Sequence, residues 1–206
     1  MNGVLILHSS LDGDGGDARA DALLMRLPYA RRLELARRDP DARLASLAGL
    51  ALALAGAARL RGRRVEPGEL QFPANGKPGL AGGPSFSVAH SATRVAVAIS
   101  DDCEVGLDLE DTTAAAPDDA KATLRLQRWT AIEAALKAVG AGLRSAAELR
   151  ISGDLATASF TGIGINLRRV AIAADCVACL ATLARIADVT VERIPVPWPC
   201  AAPPAS

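Results

Sequence analysis

Residues 85–110 contain Ser85-Phe-Ser-Val-Ala-His90, Arg94-Val-Ala-Val-Ala-Ile-Ser100 and Val105-Gly-Leu-Asp-Leu-Glu110, three apolar runs separated by Ser91-Ala-Thr93 and Asp101-Asp-Cys-Glu104. Runs of this length and composition predict strands, and the short polar separators predict turns joining them in succession. Upstream, Asn75-Gly-Lys77-Pro78-Gly79 and Gly82-Gly-Pro84 punctuate a loop. Before it, from Asp21 to Leu60, leucines at mixed three- and four-residue steps (Leu44, Leu47, Leu54) predict helix, with Arg31, Arg32, Arg37, Arg38 and Arg43 on its more polar side. Val4 to Leu7 predicts an opening strand, followed by a turn through Leu11-Asp-Gly-Asp-Gly-Gly-Asp17.

Downstream, Asp111 to Asp119 is small and polar, contains Pro117, and marks a boundary between two halves, 1–111 and 112–206. A second helix follows, ending at Gly140 or Gly142. Strands are then expected at Leu149–Ser152, Thr157–Phe160, Val170–Ala173 and Cys176–Leu183, before a proline-rich tail from Pro195 that should lie on the surface or fray. Each half reads as helix plus antiparallel strands, so the expected class is α+β.

Composition limits the functions open to such a chain. With 206 residues, 50% hydrophobic and 22% charged, it is neither disordered nor a coiled coil. Lys+Arg 23 balances Asp+Glu 23, so no overall field draws in nucleic acid or an acidic membrane. At 3% aromatic content, base-stacking platforms are hard to build. The uncharged, apolar stretch Leu44 to Ala58 between Arg43 and Arg59 falls short of the roughly 20 residues of a spanning helix and reads as a buried helix. The start, Met1 to Leu7, lacks a basic region, and Asp12, Asp14 and Asp17 follow it, so a cytoplasmic protein is expected. Cys103, Cys176, Cys179 and Cys200 are too few and scattered for a disulfide scaffold. Cys176 and Cys179 form C-x-x-C on an expected strand, where i and i+3 face opposite sides, so they read as core residues.

Two stretches could carry chemistry. In Val105–Glu110 the apolar residues alternate with Gly106, Asp108 and Glu110, placing both carboxylates on one face. Acids at i and i+2 lie roughly 7 Å apart, near enough to converge on a hard cation. The competing reading is a strand with one solvated face. In Trp129-Thr-Ala-Ile-Glu133-Ala-Ala-Leu-Lys137-Ala-Val-Gly140, helical spacing puts Trp129, Glu133 and Lys137 along one side, beside an apolar stripe of Ile132, Leu136, Val139 and Leu143. An ordinary Glu–Lys i,i+4 pair would look the same. Lysine usage weighs against that: the chain has twenty arginines but only Lys77, Lys121 and Lys137 as lysines, and lysine is a compact, rotatable, deprotonatable charge suited to phosphate and proton transfer. Gly76-Lys77-Pro78 sets an ammonium on a stiff loop, and His90 ends its strand where an imidazole can donate to a phosphate.

Taken in order, Gly76-Lys77-Pro78, Phe86-Ser-Val-Ala-His90-Ser91, Val105-Gly-Leu-Asp108-Leu-Glu110 and Trp129-Thr-Ala-Ile-Glu133-Ala-Ala-Leu-Lys137-Ala-Val-Gly140 resemble the phosphopantetheinyl transferase superfamily, in its longer, Sfp-type branch. The resemblance covers about Arg26 to Leu143. Departures are Ser87 and Ala89, where the family usually has Asn and Ser, and Ile132, where it usually has Lys.

The resemblance implies a pseudo-twofold monomer of two similar α+β half-domains, with the active site in the cleft between them. The reaction it implies transfers the 4′-phosphopantetheine group of coenzyme A to a serine of an apo acyl or peptidyl carrier protein and releases adenosine 3′,5′-bisphosphate. Asp108, Glu110 and Glu133 would hold Mg²⁺. Lys137 would stabilise the pyrophosphate, and either Glu133 or a water at the metal would take the serine proton. Lys77 and His90 would contact nucleotide phosphates, and Arg31 and Arg32 fall where the family places basic coenzyme ligands. The partner would be a small acidic carrier protein, with no nucleic acid and no membrane. Two alternatives are a non-catalytic coenzyme A or carrier-binding module on the same fold, and a Mg²⁺-dependent hydrolase of nucleotide pyrophosphates.

Overall fold

The computed structural model describes residues 3–11, 16–74, 76–112 and 120–198. Most of the expected boundary segment, most of the turn after Leu11, Cys200 and the end of the proline-rich tail lie outside the described residues.

The chain is α+β, as its patterning predicts. In order it forms β1 (Gly3–Ser10), α1 (Gly16–Leu24), α2 (Tyr29–Ala36), α3 (Pro40–Arg61), two short strands β2 (Leu70–Gln71) and β3 (Gly79–Leu80), then β4 (Ser85–His90), β5 (Arg94–Ser100) and β6 (Val105–Asp111). These are followed by α4 (Ala120–Val139), β7 (Leu149–Ile151), β8 (Thr157–Phe160), β9 (Ile163–Arg169), β10 (Cys176–Thr182) and β11 (Asp188–Arg193). The expected helical region breaks into three helices. Asp39 starts the third by accepting from the Ala42 N–H at 2.9 Å, Pro40 occupies its first turn, and Gly62, at φ 61°, ends it.

One sheet runs β11-β1-β5-β4 and the other β6-β10-β9-β8-β7. α3 lies on the outer face of the first over Phe86, Val95, Val97 and Ile99. α4 lies on the outer face of the second over Ile165, Leu167, Cys179 and Ala181. The inner faces bury Val4, Ile6, Ala96 and Ala98 against Leu107, Leu109, Ala178 and Leu180 in a common core. The protein is thus built as helix, sheet, sheet, helix. Among the described residues α3 alone is long and apolar enough to cross a membrane, and 67% of its apolar window is buried in the fold.

Three features depart from the sequence reading. The expected strand at Val170–Ala173 is irregular, and the strand lies just before it, at Ile163–Arg169. β11 pairs in parallel with β1, so the sheets do not divide where 1–111 and 112–206 divide: β6 belongs to the second sheet and β11 to the first. The segment after β11 is not a loose surface tail, because Ile194, Val196 and Trp198 pack against the first core.

β4 and β6 meet where the two sheets adjoin. Period-two alternation points Ser85 and Ser87 of β4 the same way, and their hydroxyls accept from the backbone N–H groups of Val105 (3.3 Å) and Leu107 (3.0 Å). Two side chains thereby do the work of a backbone ladder along this seam.

Candidate functional site

β6 carries Gly106, Asp108 and Glu110 on the face covered by α4. A Cβ on Gly106 would lie 2.0 Å from the Ala134 carbonyl oxygen and 2.4 Å from the Ala138 nitrogen, so only glycine lets the helix rest directly on the strand. The helix side pressed down there is small: Ala131, Ala134, Ala135 and Ala138 are buried, with Leu136. Of the apolar stripe expected at Ile132, Leu136, Val139 and Leu143, Leu136 is buried, Ile132 and Val139 pack partly buried against the same core, and Leu143 is exposed. This close approach sets Glu133 and Lys137 over Asp108 and Glu110.

The face that the competing reading leaves solvated is therefore covered, and Asp108 is only 4% exposed. Asp108, Glu110 and Glu133 each offer a carboxylate oxygen within 4.8 Å of the others. Lys137 Nζ donates to Asp108 Oδ1 at 2.6 Å and stands 3.8 Å from Glu133 Oε2. Asp108 Oδ2 is buried without a hydrogen-bond partner. Burial, reinforced by the Glu133 and Glu110 charges, pushes the Asp108 carboxyl up to about 7 against the pull of Lys137. Burial and Glu133 likewise raise Glu110, opposed by a hydrogen bond from the Trp129 indole. Three oxygen ligands that repel one another, one of them desolvated and orphaned, suit a small hard cation.

No protein-family model matches the chain, and no curated protein matches its sequence.

The remaining predicted site residues are placed differently. His90 ends β4 at the mouth of a cavity of about 500 Å³ lined also by Leu11, Asp41, Leu44 and Ser91. Partial burial, with the charges of Lys137 and Arg38, lowers its pKa, so the field of the carboxylate-bound lysine reaches it. Lys77 is a tether. Its side chain is 16% exposed and donates to Glu104 Oε2 (2.6 Å) and to the Val105 (3.0 Å) and Ala138 (3.4 Å) carbonyls, tying the Gly-Lys-Pro loop to β6 and the end of α4. It still shares a cavity of about 300 Å³ with Lys137, Ser87, Val88 and Gly140. Arg31 pairs with Glu34 and covers the Phe72 ring at 5.0 Å, while Arg32 covers Tyr29 at 5.5 Å. None of these contacts joins Arg31 or Arg32 to the carboxylates.

Sequence reasoning gave no role to Arg38, which donates to Ser46 Oγ and Glu34 and whose charge reaches His90. Its signal was its place beside the helix-capping Asp39. The indole bond to Glu110 was legible only as the shared helix side of Trp129 and Glu133. Cys176 and Cys179 face different cores, and burial lifts the Cys179 thiol to about 12, consistent with packing residues.

Proposed function

We propose that this protein is a Mg²⁺-dependent phosphopantetheinyl transferase, moving 4′-phosphopantetheine from coenzyme A to a serine of an apo acyl or peptidyl carrier protein. The observation that carries this reading is the convergence of Asp108, Glu110 and Glu133 within 4.8 Å, with Lys137 on Asp108 and His90 within reach of its charge. The four motifs that resemble the superfamily supply those residues in its order, and two α+β units meeting along β4 and β6 are compatible with its pseudo-twofold fold.

The orphaned Asp108 Oδ2 and the oxygen-only donor set fit Mg²⁺, which Asp108, Glu110 and Glu133 would hold. When bound, Mg²⁺ supplies neutralisation of the charge that gathers on the pyrophosphate. The protein's own residues do the rest. The serine oxygen forms a bond to the phosphorus bearing pantetheine, the bridging P–O bond breaks, and adenosine 3′,5′-bisphosphate leaves with the electron pair. Glu133 accepts the serine proton, and Lys137 donates to the pyrophosphate oxygens. His90 donates to a nucleotide phosphate, with Lys137 and Arg38 as the basic groups whose charge reaches it, where the family resemblance alone would place Arg31 and Arg32. Lys77 holds the loop that walls the cavity beside Lys137.

Intact mass of apo carrier proteins incubated with the protein, coenzyme A and Mg²⁺, with an EDTA control, tests this. A phosphopantetheine adduct that EDTA abolishes is expected. Coenzyme A binding without an adduct on fatty-acid, polyketide or peptide carriers would overturn the transferase in favour of a binding module.

A further inference from the structure

We propose that Lys137 is the site's resident counter-cation, and that a divalent metal displaces it on entry and so frees it for a phosphate-bearing substrate. The inference rests on reading the three carboxylates as the cation site of the proposed function.

Lys137 Nζ lies between two of the acids, 2.6 Å from Asp108 Oδ1 and 3.8 Å from Glu133 Oε2. There it provides one positive charge against three carboxylates and satisfies one oxygen of Asp108, leaving Oδ2 bare. A divalent ion reaching Asp108 and Glu133 enters the space the ammonium controls, and the two cations repel strongly at such separations. Lys137 has a way out. Its side chain is 32% exposed, and it borders the cavity of about 300 Å³ it shares with Lys77, Ser87 and Gly140. A phosphate there would meet an ammonium released from its carboxylates, so metal and phosphate-bearing substrate should each favour the other.

The choice of residue agrees with this in a chain whose cations are otherwise nearly all arginines. An arginine at 137 could clamp a carboxylate through two parallel hydrogen bonds, whereas a lysine is a rotatable point charge that exchanges partners readily.

The test uses the full chain and needs no carrier protein. Mg²⁺ binding is followed by calorimetry and by tryptophan fluorescence in a Trp198→Phe background, where the signal is that of Trp129, whose indole bonds Glu110. Lysine accessibility is read by amine acetylation and mass spectrometry, which has only Lys77, Lys121 and Lys137 to resolve. Saturating Mg²⁺ is expected to raise acetylation of Lys137 several-fold while leaving Lys77 unchanged. Lys137→Met is expected to bind Mg²⁺ roughly tenfold more tightly than the wild type, and Lys137→Arg no more tightly. Unchanged Lys137 acetylation at Mg²⁺ saturation overturns the proposal, as does equal or weaker binding by a folded Lys137→Met. Should that variant fail to fold, the wild-type acetylation decides. Displacement of Lys137 without transfer to any carrier would leave the inference standing and remove the transferase, and transfer with an undisturbed lysine would do the reverse. Absence of Mg²⁺ binding by the wild type and both variants would remove the metal site and the inference together.

Discussion

Asp108 sets the balance of the site at the residue scale. Its carboxyl, pushed up to about 7 chiefly by burial, holds a proton more tightly folded than unfolded. Its contribution to stability is therefore fully present below about pH 4 and lost as pH rises to about 7. In EDTA, melting temperature should fall across that interval from this group, Asp108→Asn should flatten the fall, and Mg²⁺ should restore the wild type but not the variant. Parallel thermal melts at pH 5 and 8 check all three. Glu133→Gln should lower carrier modification by roughly 10²–10⁴-fold without loss of stability, because it removes one of three mutually repelling charges; single-turnover mass spectrometry with a melt alongside measures both. The D-x-E spacing made the shared face of Asp108 and Glu110 readable in the sequence. Burial of that face was not, since it depends on α4, which arrives from later in the chain and settles there only because Gly106 has no side chain.

At the scale of elements, the fit of α4 onto β6 fixes the spatial relation of all four charged groups. Gly106→Ala would drive a methyl group into the helix backbone, and overpacking of this kind costs about 1–3 kcal/mol or more. The denaturant midpoint should drop, and Mg²⁺ affinity with it, as Glu133 and Lys137 lift from Asp108. Ser87→Ala would leave the buried Leu107 N–H without its acceptor, at about 1–3 kcal/mol, readable as faster hydrogen exchange at that amide. Strands with regular apolar alternation were legible to the residue: β4, β5 and β8 fall where the pattern puts them. β9 was missed although Ile163, Ile165 and Leu167 alternate, because Asn166, Arg168 and Arg169 dilute the run and Val170 to Ala173 offered a more apolar one. β11 carries only Val189 and Val191 as its signal, and its pairing with β1 lies nearly the whole chain away.

At the scale of the whole molecule, β11 covers one edge of β1, while Ile194, Val196 and Trp198 extend the first core. Ending the chain at Ala187 should expose that edge beside Val4 and Ile6 and yield aggregated or largely unfolded protein, seen by size-exclusion chromatography and circular dichroism. The α+β class, the core helix and the presence of helix and strands in both halves of the chain could be read from composition and periodicity. The trading of strands between the parts could not, because alternation shows that a segment is a strand without naming its neighbours. That trade means neither part is a module that could be lifted out and grown alone. A chain cut between residues 112 and 120 would give one piece bearing the edge strand of the second sheet and another bearing the edge strand of the first. Co-expressed, such fragments are natural candidates for complementation, each acting as the template on which the other completes its fold.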